Sequence, residues 1–245
     1  MVKVLMVCSN SLAGAPGNIP GTKKGGWYLE ECAHPYVQFE KAGYEIELCS
    51  IKGGDITGVV DPDSIGDLDK DPVKKTLWES DAFQAKCKDT KPLSSYTGTD
   101  YNIFFLVGGF GVMWDFFPNP AIGRVGKECY ESGGIVGAVC HGPIGLASIT
   151  LSNGEPLVKG KNVGGFANFE EDIVKIKIPL HAGFDDKESC EDILTALGGK
   201  HTHSEKPFGV HVTVDERVVC GQNPPSADPC GEAIVELAKE QPWGA

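Results

Sequence analysis

The sequence has little positive charge. Its 245 residues carry 22 Lys and Arg against 34 Asp and Glu, a formal net charge of −12. Such a chain repels phosphate, which argues against a nucleic-acid partner and, for the same reason, against an anionic membrane surface. Long hydrophobic runs are missing too: no stretch approaches the roughly 18–20 apolar residues a membrane helix needs. The apolar part of the N-terminus, Val2–Cys8, is too short for the h-region of a signal peptide and has one Lys. Nine cysteines are present, but the count is odd and no two form a C-x-x-C pair, which argues against a disulfide framework. No N-x-[S/T] glycosylation acceptor appears either. These absences point to a reducing, cytoplasmic compartment.

What is present is an ordinary globular composition, with 41% hydrophobic and 23% charged residues. At roughly 100–200 residues per domain, the length allows one large domain or two small ones. No linker and no internal repeat interrupts the chain, so a single domain over residues 1–245 is expected. The 32 glycines predict many tight turns.

Short apolar runs alternate with helical patterns. Val2–Cys8, Tyr44–Ser50, Asn102–Val107 and Ile135–Val139 read as strands, three of them continuous enough for burial on both faces. Asn162–Phe166, Val210–Val214 and Val218–Gly221 read as further strands, the last two joined by an Asp-Glu-Arg turn. Helices are predicted over Trp27–Ala42, Pro120–Ser132, Glu188–Leu197 and Glu232–Lys239, and directly after Pro143. Pro35 must start or kink the first of these. Residues 53–99 are acidic and weakly periodic, with short helices around Val73–Trp78 and Ala82–Cys87; they read as a cap on the domain. The pattern predicts an α/β fold: a mostly parallel sheet with helices on both faces. Its site belongs at the carboxyl ends of the strands.

The strongest chemical signal is Gly137-Ala138-Val139-Cys140-His141-Gly142-Pro143. A buried strand meets a helix start with a nucleophile at the junction. Ala138 and Gly142, two residues either side of Cys140, are small enough for the backbone to fold back. A helix N-terminus beside the sulfur would favour thiolate. A plain buried structural cysteine is the competing interpretation, as for the other eight. His141 follows at once, and a Cys–His pair needs a third group to orient the imidazole.

Ala138-Val139-Cys140-His141-Gly142-Pro143 resembles the nucleophile elbow of the PfpI superfamily, the relatives of the Parkinsonism-associated protein DJ-1. The closer match is its Hsp31-like branch, which includes glutathione-independent glyoxalases. The segment from Gly26 to Pro35, with Glu31, His34 and Pro35, looks like that branch's Glu-x-x-His-Pro. Met113-Trp114-Asp115-Phe116, Gly160–Phe166 with Glu170-Glu171, Gly221–Pro224 and Ser226-Ala227 match in order and spacing. The resemblance covers essentially the whole chain.

It implies a flavodoxin-like (class I glutamine amidotransferase-like) sandwich with a small cap insertion at about 53–99. Cys140 corresponds to the nucleophile and His141 to the triad histidine. Glu171 corresponds to the triad acid, with Glu170 the alternative one residue earlier. Glu31 corresponds to the buried glutamate beside the nucleophile, with Glu30 as its alternative. A carboxyl group beside a thiolate could hold a proton, donate it to sulfur and move protons on a substrate. The N–H groups of Gly109 and His141 would form an oxyanion hole. The branch usually has a His where this chain has Phe110, so the pocket departs from its relatives there. Phe110, Trp114 and Trp27 are candidates to line it. The implied activity converts methylglyoxal and water to D-lactate, with no metal or organic cofactor. The partner is then a small dicarbonyl substrate, with a homodimer as the implied assembly. A stress-response chaperone, a redox sensor oxidised at Cys140, a protein deglycase and a cysteine hydrolase are alternatives on the same fold.

Three other signals are weak. Gly109-x-Gly111 lacks the third glycine of a dinucleotide fingerprint, since Trp114 stands there. Asp61, Asp63, Gly66, Asp67 and Asp69 suggest a calcium loop, but Ile65 and Pro72 stand where oxygen ligands belong. His201, His203 and His211 read as surface histidines rather than metal ligands.

Overall fold

The computed structural model describes residues 1–12, 25–66, 68–174 and 189–243. Strand β1 (Lys3–Cys8) leads to helix α1 (Leu29–Lys41) and β2 (Glu45–Ser50). The acidic segment follows with α2 (Pro62–Ile65), α3 (Pro72–Trp78) and α4 (Asp81–Lys88), then the short β3 (Lys91–Pro92). Strand β4 (Ile103–Leu106) is followed by α5 (Val112–Asp115), α6 (Pro120–Glu131) and β5 (Ile135–Val139). The remainder contains β6 (Asn162–Val163), α7 (Asn168–Val174), α8 (Cys190–Ala196) and β7 (Lys200–His201). The hairpin of β8 (Val212–Asp215) and β9 (Val218–Gly221) and the helix α9 (Ala227–Lys239) complete it.

The main sheet has seven strands in the order β3-β2-β1-β4-β5-β9-β8. Every neighbouring pair is parallel except the edge hairpin β8–β9. The continuous apolar run of β1 is explained by burial on both faces. Val4, Met6 and Cys8 join the core beneath α1 and α9, whereas Leu5 and Val7 join the core beneath α6 and α8. The chain leaves β1 toward β2 and later returns to β1's other side with β4. This reversal opens a crevice at the carboxyl ends of β1, β4 and β5, the usual place for a ligand in an open parallel sheet.

Local chemistry sets most element boundaries. Asp71, Ser80 and Asn119 cap α3, α4 and α6 through side-chain oxygens that accept from backbone N–H groups. Pro35 neither starts nor ends α1; it lies inside it. Its missing N–H leaves the carbonyl of Glu31, four residues earlier, outside the helical ladder. Helix α9 begins five residues before the expected Glu232, because Pro229 falls in its first turn, where no intrahelical N–H is needed. The run Asn162–Phe166 is strand only at Asn162–Val163, pairing with β7 in a separate two-stranded sheet. The predicted helix at 188–197 is α8; its first expected residue lies outside the described ones. The helix expected after Pro143 is a seven-residue 3-10 helix, Gly142–Ser148.

Helices α2, α3 and α4 of the acidic segment lie beside α1 and the β2 edge, and Asp61 and Asp63 from this segment reach the crevice. On the other side of α1, α9 lays the fully buried Ile234 over Gly137 of β5. Truncation there leaves a cavity that a packed sheet cannot close. We expect Ile234→Ala to cost about 2–5 kcal/mol, read as a lower urea midpoint at unchanged slope. An unchanged midpoint would show that α9 contributes little to the core.

Candidate active site

Strand β5 delivers Cys140 to the crevice. The residue has φ of 60°, in the left-handed region that a side chain adopts at a cost of about 1–2 kcal/mol. Two hydrogen bonds hold it there: its N–H donates to Gly221 O at 2.9 Å, and its carbonyl accepts from Phe166 N at 2.7 Å. The stretch 164–166 left the strand to make this second contact. Small residues are needed on the inner side of the turn, since a Cβ on Gly142 would fall 2.5 Å from Leu106 O.

His141 turns its ring back beside the sulfur. Its Nδ1 lies 3.3 Å from Cys140 Sγ, and its Nε2 lies 2.7 Å from Glu171 Oε1. The imidazole is buried between two aromatic rings: Phe166 stacks on it at 4.3 Å and Phe110 tilts against it at 4.5 Å. Of the two carboxylates the sequence leaves open, Glu171 therefore reaches the histidine. Glu170 is fully buried and accepts from the N–H groups of Ala167 and Phe208 and from Asn223 Nδ2. It ties three loops together and does not face the ring.

Glu31, in the first turn of α1, is fully buried against the same sulfur, whereas Glu30 lies on the outer side of the helix. Gly108 makes room: a Cβ there would collide with the Glu31 carboxyl group. Neither Glu31 oxygen accepts a hydrogen bond of good geometry among the described residues, and the thiol is the polar group it faces. Burial holds the carboxyl well above the usual carboxylate range. Burial also pushes the Cys140 thiol up, and an ionised Glu31 would push it further. The two groups cannot both ionise in so dry a place. A carboxyl that keeps its proton removes this repulsion and can donate to the sulfur when the thiol ionises. The expected helix N-terminus does not provide this help, because the element that follows is the short 3-10 helix.

A cavity of about 140 Å³ opens over Cys140, lined by Tyr28, Glu31, Gly109, Phe110, His141 and Phe166 and also by Asp61, Asp63, Val174, Phe208 and Pro224. The Gly109 N–H makes no hydrogen bond among the described residues, while that of His141 is directed at the Cys140 sulfur. Phe110 lines the cavity as expected. Trp114 does not: it sits on α5, half-buried against the core on the other face of the sheet. Trp27 is core too, with Nε1 donating to Ile56 O at 3.0 Å. Tyr28, Phe166 and Phe208 were not singled out from the sequence. Only the position of Phe166 after β6 hinted at it, and nothing local marked the other two.

The weak signals find structural employment. Asp61 is buried and caps α2, and Asp67 lies outside the described residues. His211 Nε2 meets Thr202 Oγ1 and His203 Nδ1 meets Ser204 O. These histidines do not gather as metal ligands among the described residues.

Comparison with known proteins places this fold in one family. The sequence model of the DJ-1/PfpI family matches residues 26–237, and the chain belongs to that family. It is 32% identical over 241 residues to Glyoxalase 3 of Candida albicans, covering 96% of this chain and 98% of that one. To the glutathione-independent glyoxalase HSP31 of Saccharomyces cerevisiae it is 30% identical over 219 residues, covering 88% and 90%. Among solved structures it is similar to Rapid Encystment Protein 24 KDa of Francisella tularensis, with a TM-score of 0.84, 30% identity and coverage of 97% and 99%. The crystal structure of Candida albicans glyoxalase III matches with a TM-score of 0.79 at 30% identity, covering 96% and 97%.

The proton on Glu31 can be tested without any substrate. Removing a donor beside the sulfur lowers its thiolate fraction, so Glu31→Ala should slow alkylation of Cys140 by iodoacetamide at neutral pH, followed by peptide mass spectrometry. A faster reaction would mean that Glu31 is ionised and repels the thiolate.

Proposed function

We propose that this protein is a glutathione-independent glyoxalase, a lyase of the D-lactate dehydratase type that converts methylglyoxal and water to D-lactate. The observation that carries this reading is the hydrogen-bonded series Glu171–His141–Cys140, with a buried Glu31 carboxyl beside the same sulfur. The names of the similar fungal proteins support it. Hydrolysis needs one nucleophile and one base. An internal redox reaction also needs a group that takes a proton from one substrate carbon and returns it to the next, and the fourth group meets that need.

In this reading the Cys140 thiolate attacks the aldehyde carbon, and the oxygen takes the Glu31 proton to complete a hemithioacetal, which leaves Glu31 a carboxylate able to act as base. The Gly109 N–H faces the developing oxyanion, and the His141 N–H, directed at the sulfur in the resting site, becomes its second donor as the C–S bond forms. Glu31 or His141 removes the proton on the former aldehyde carbon, giving an enediol. Return of a proton to the adjacent carbon gives the lactoyl thioester, and water then releases D-lactate and the thiol. Glu171 fixes the His141 tautomer, so that Nδ1 is the nitrogen facing the sulfur. Phe110 holds the imidazole by ring packing and leaves an apolar wall where a polar side chain is usual in the branch. The cap segment contributes Asp61 and Asp63 to the cavity lining. Nine free cysteines support a reducing, cytoplasmic setting.

The test is D-lactate formation from methylglyoxal by the purified chain without glutathione. Wild type should produce it and Cys140→Ala should not; Glu171→Gln should lower kcat/KM by about 10²–10⁴-fold. No D-lactate from folded wild type would sink the reading. Gain of activity in Phe110→His would then indicate a site specialised away from small dicarbonyls. Aggregation suppression that persists in Cys140→Ala would indicate a chaperone.

A further inference from the structure

The outer face of α1 carries a second cluster that the reaction does not use. Glu30 and His34 are four residues apart on one side of the helix, and Asp71 reaches them from the N-terminus of α3. One ligand atom from each lies within 4.8 Å of the others. The spacing i, i+4 places two side chains over one another on a helix, as metal-binding pairs require. The roles of Asp71's two oxygens are divided. Oδ1 accepts from the Lys74 N–H at 3.0 Å and caps α3, which leaves Oδ2 turned to His34 Nε2 at 2.8 Å. Glu30 is half-buried and makes no hydrogen bond among the described residues.

A second observation points the same way. The other ring nitrogen of His34, Nδ1, faces Asp228 Oδ1 at 3.6 Å, and Gln38 Nε2 holds that oxygen at 2.7 Å. A ligating histidine typically directs its remaining N–H to a carboxylate, which fixes the tautomer and raises the basicity of the ligating nitrogen. Here the carboxylate comes from α9, a different element, and is itself anchored; at 3.6 Å it stands at ion-pair distance, just beyond hydrogen-bond length.

We propose that Glu30, His34 and Asp71 form a divalent transition-metal site, with Zn²⁺ as the fitting ion. One imidazole and two carboxylates make a mixed nitrogen–oxygen set of borderline softness, suited to zinc and leaving a coordination position for water. The proton between Nε2 and Oδ2 occupies the position of the ion, so binding releases it. Lys70 and Lys74 share the hollow with Glu30, Asp63 and Asp71 and set an electrostatic limit on affinity. Tyr28 and Asp63 line both this hollow and the Cys140 cavity, so the ion would sit behind a shared wall, separate from the thiol. The site is distinct from the acidic loop at 61–69 and from His201, His203 and His211. It does not depend on the proposed glyoxalase reading.

The experiment is calorimetric titration of the chelator-treated full chain with Zn²⁺, and optical titration with Co²⁺. The expected result is about one equivalent bound, a rise in Tm, and a Co²⁺ spectrum without a thiolate charge-transfer band, which separates this site from the cysteines. His34→Gln and Glu30→Gln should abolish or strongly weaken binding, and Asp228→Asn should weaken it by about tenfold or more. Glu30→Gln removes a ligand without touching the cap of α3, so it remains informative where His34→Gln disturbs folding. Absence of binding by wild type, binding unchanged in Glu30→Gln, or a thiolate band from Co²⁺ would each overturn the site.

Discussion

The site depends on one backbone conformation, the left-handed turn at Cys140. A residue with a side chain pays for that turn with roughly 1–2 kcal/mol, and a net hydrogen bond returns about as much. Two bonds, to Gly221 on β9 and from Phe166, are therefore enough to hold it. Once the turn is fixed, two consequences follow. The thiol leaves the plane of the sheet, and the next side chain swings back toward it. Each partner of the elbow also brings part of the site with it: Phe166 supplies the ring that stacks on His141, and Gly221 leads into the loop that holds Asn223 and thereby Glu170.

Burial then decides what the side chains can be. Two acidic groups, a carboxyl and a thiol, share a space from which water is excluded. The cost of ionising both exceeds that of ionising one, so they behave as a pair with a common proton. Gly108 is what permits their approach, because any side chain there would displace Glu31. The aromatic packing of His141 works alongside this. Phe110 and Phe166 restrain the ring while Glu171 selects the tautomer, so orientation comes from two apolar contacts and one polar one.

Much of this was legible in the sequence. Buried strands announce themselves as continuous runs, and the four main ones fell within a residue or two of their expected bounds. The elbow was visible because small residues flank a nucleophile at a strand's end. Other features could not be read in this way. The strand expected at Asn162–Phe166 broke after two residues because a long-range bond to Cys140 O outweighed local propensity. The last helix was expected only from Glu232, although the first helical turn accepts Pro229. Trp114 suggested a pocket wall, yet an aromatic side chain serves the core equally well, and the face of α5 on which it lies is set only by packing.

Adjacent carboxylates show most clearly why a motif alone does not settle a site. Glu30-Glu31 and Glu170-Glu171 each offer two identical groups, and consecutive helical residues project about 100° apart, the angle set by 3.6 residues per turn. One member of each pair must therefore face a different environment from the other. On α1, Glu31 points to the thiol and Glu30 to His34 and Asp71; on α7, Glu171 points to His141 and Glu170 to the loop bonds of Phe208 and Asn223. The chemistry of the residue is the same in every case, and the surroundings divide the work: a buried acid with no regular partner, a carboxylate beside a histidine and an aspartate on an outer face, an orienting carboxylate and a structural tie. Register, which a one-residue shift would reverse, is the quantity that separates these four roles, and it is fixed by the packing of whole helices rather than by the motif itself.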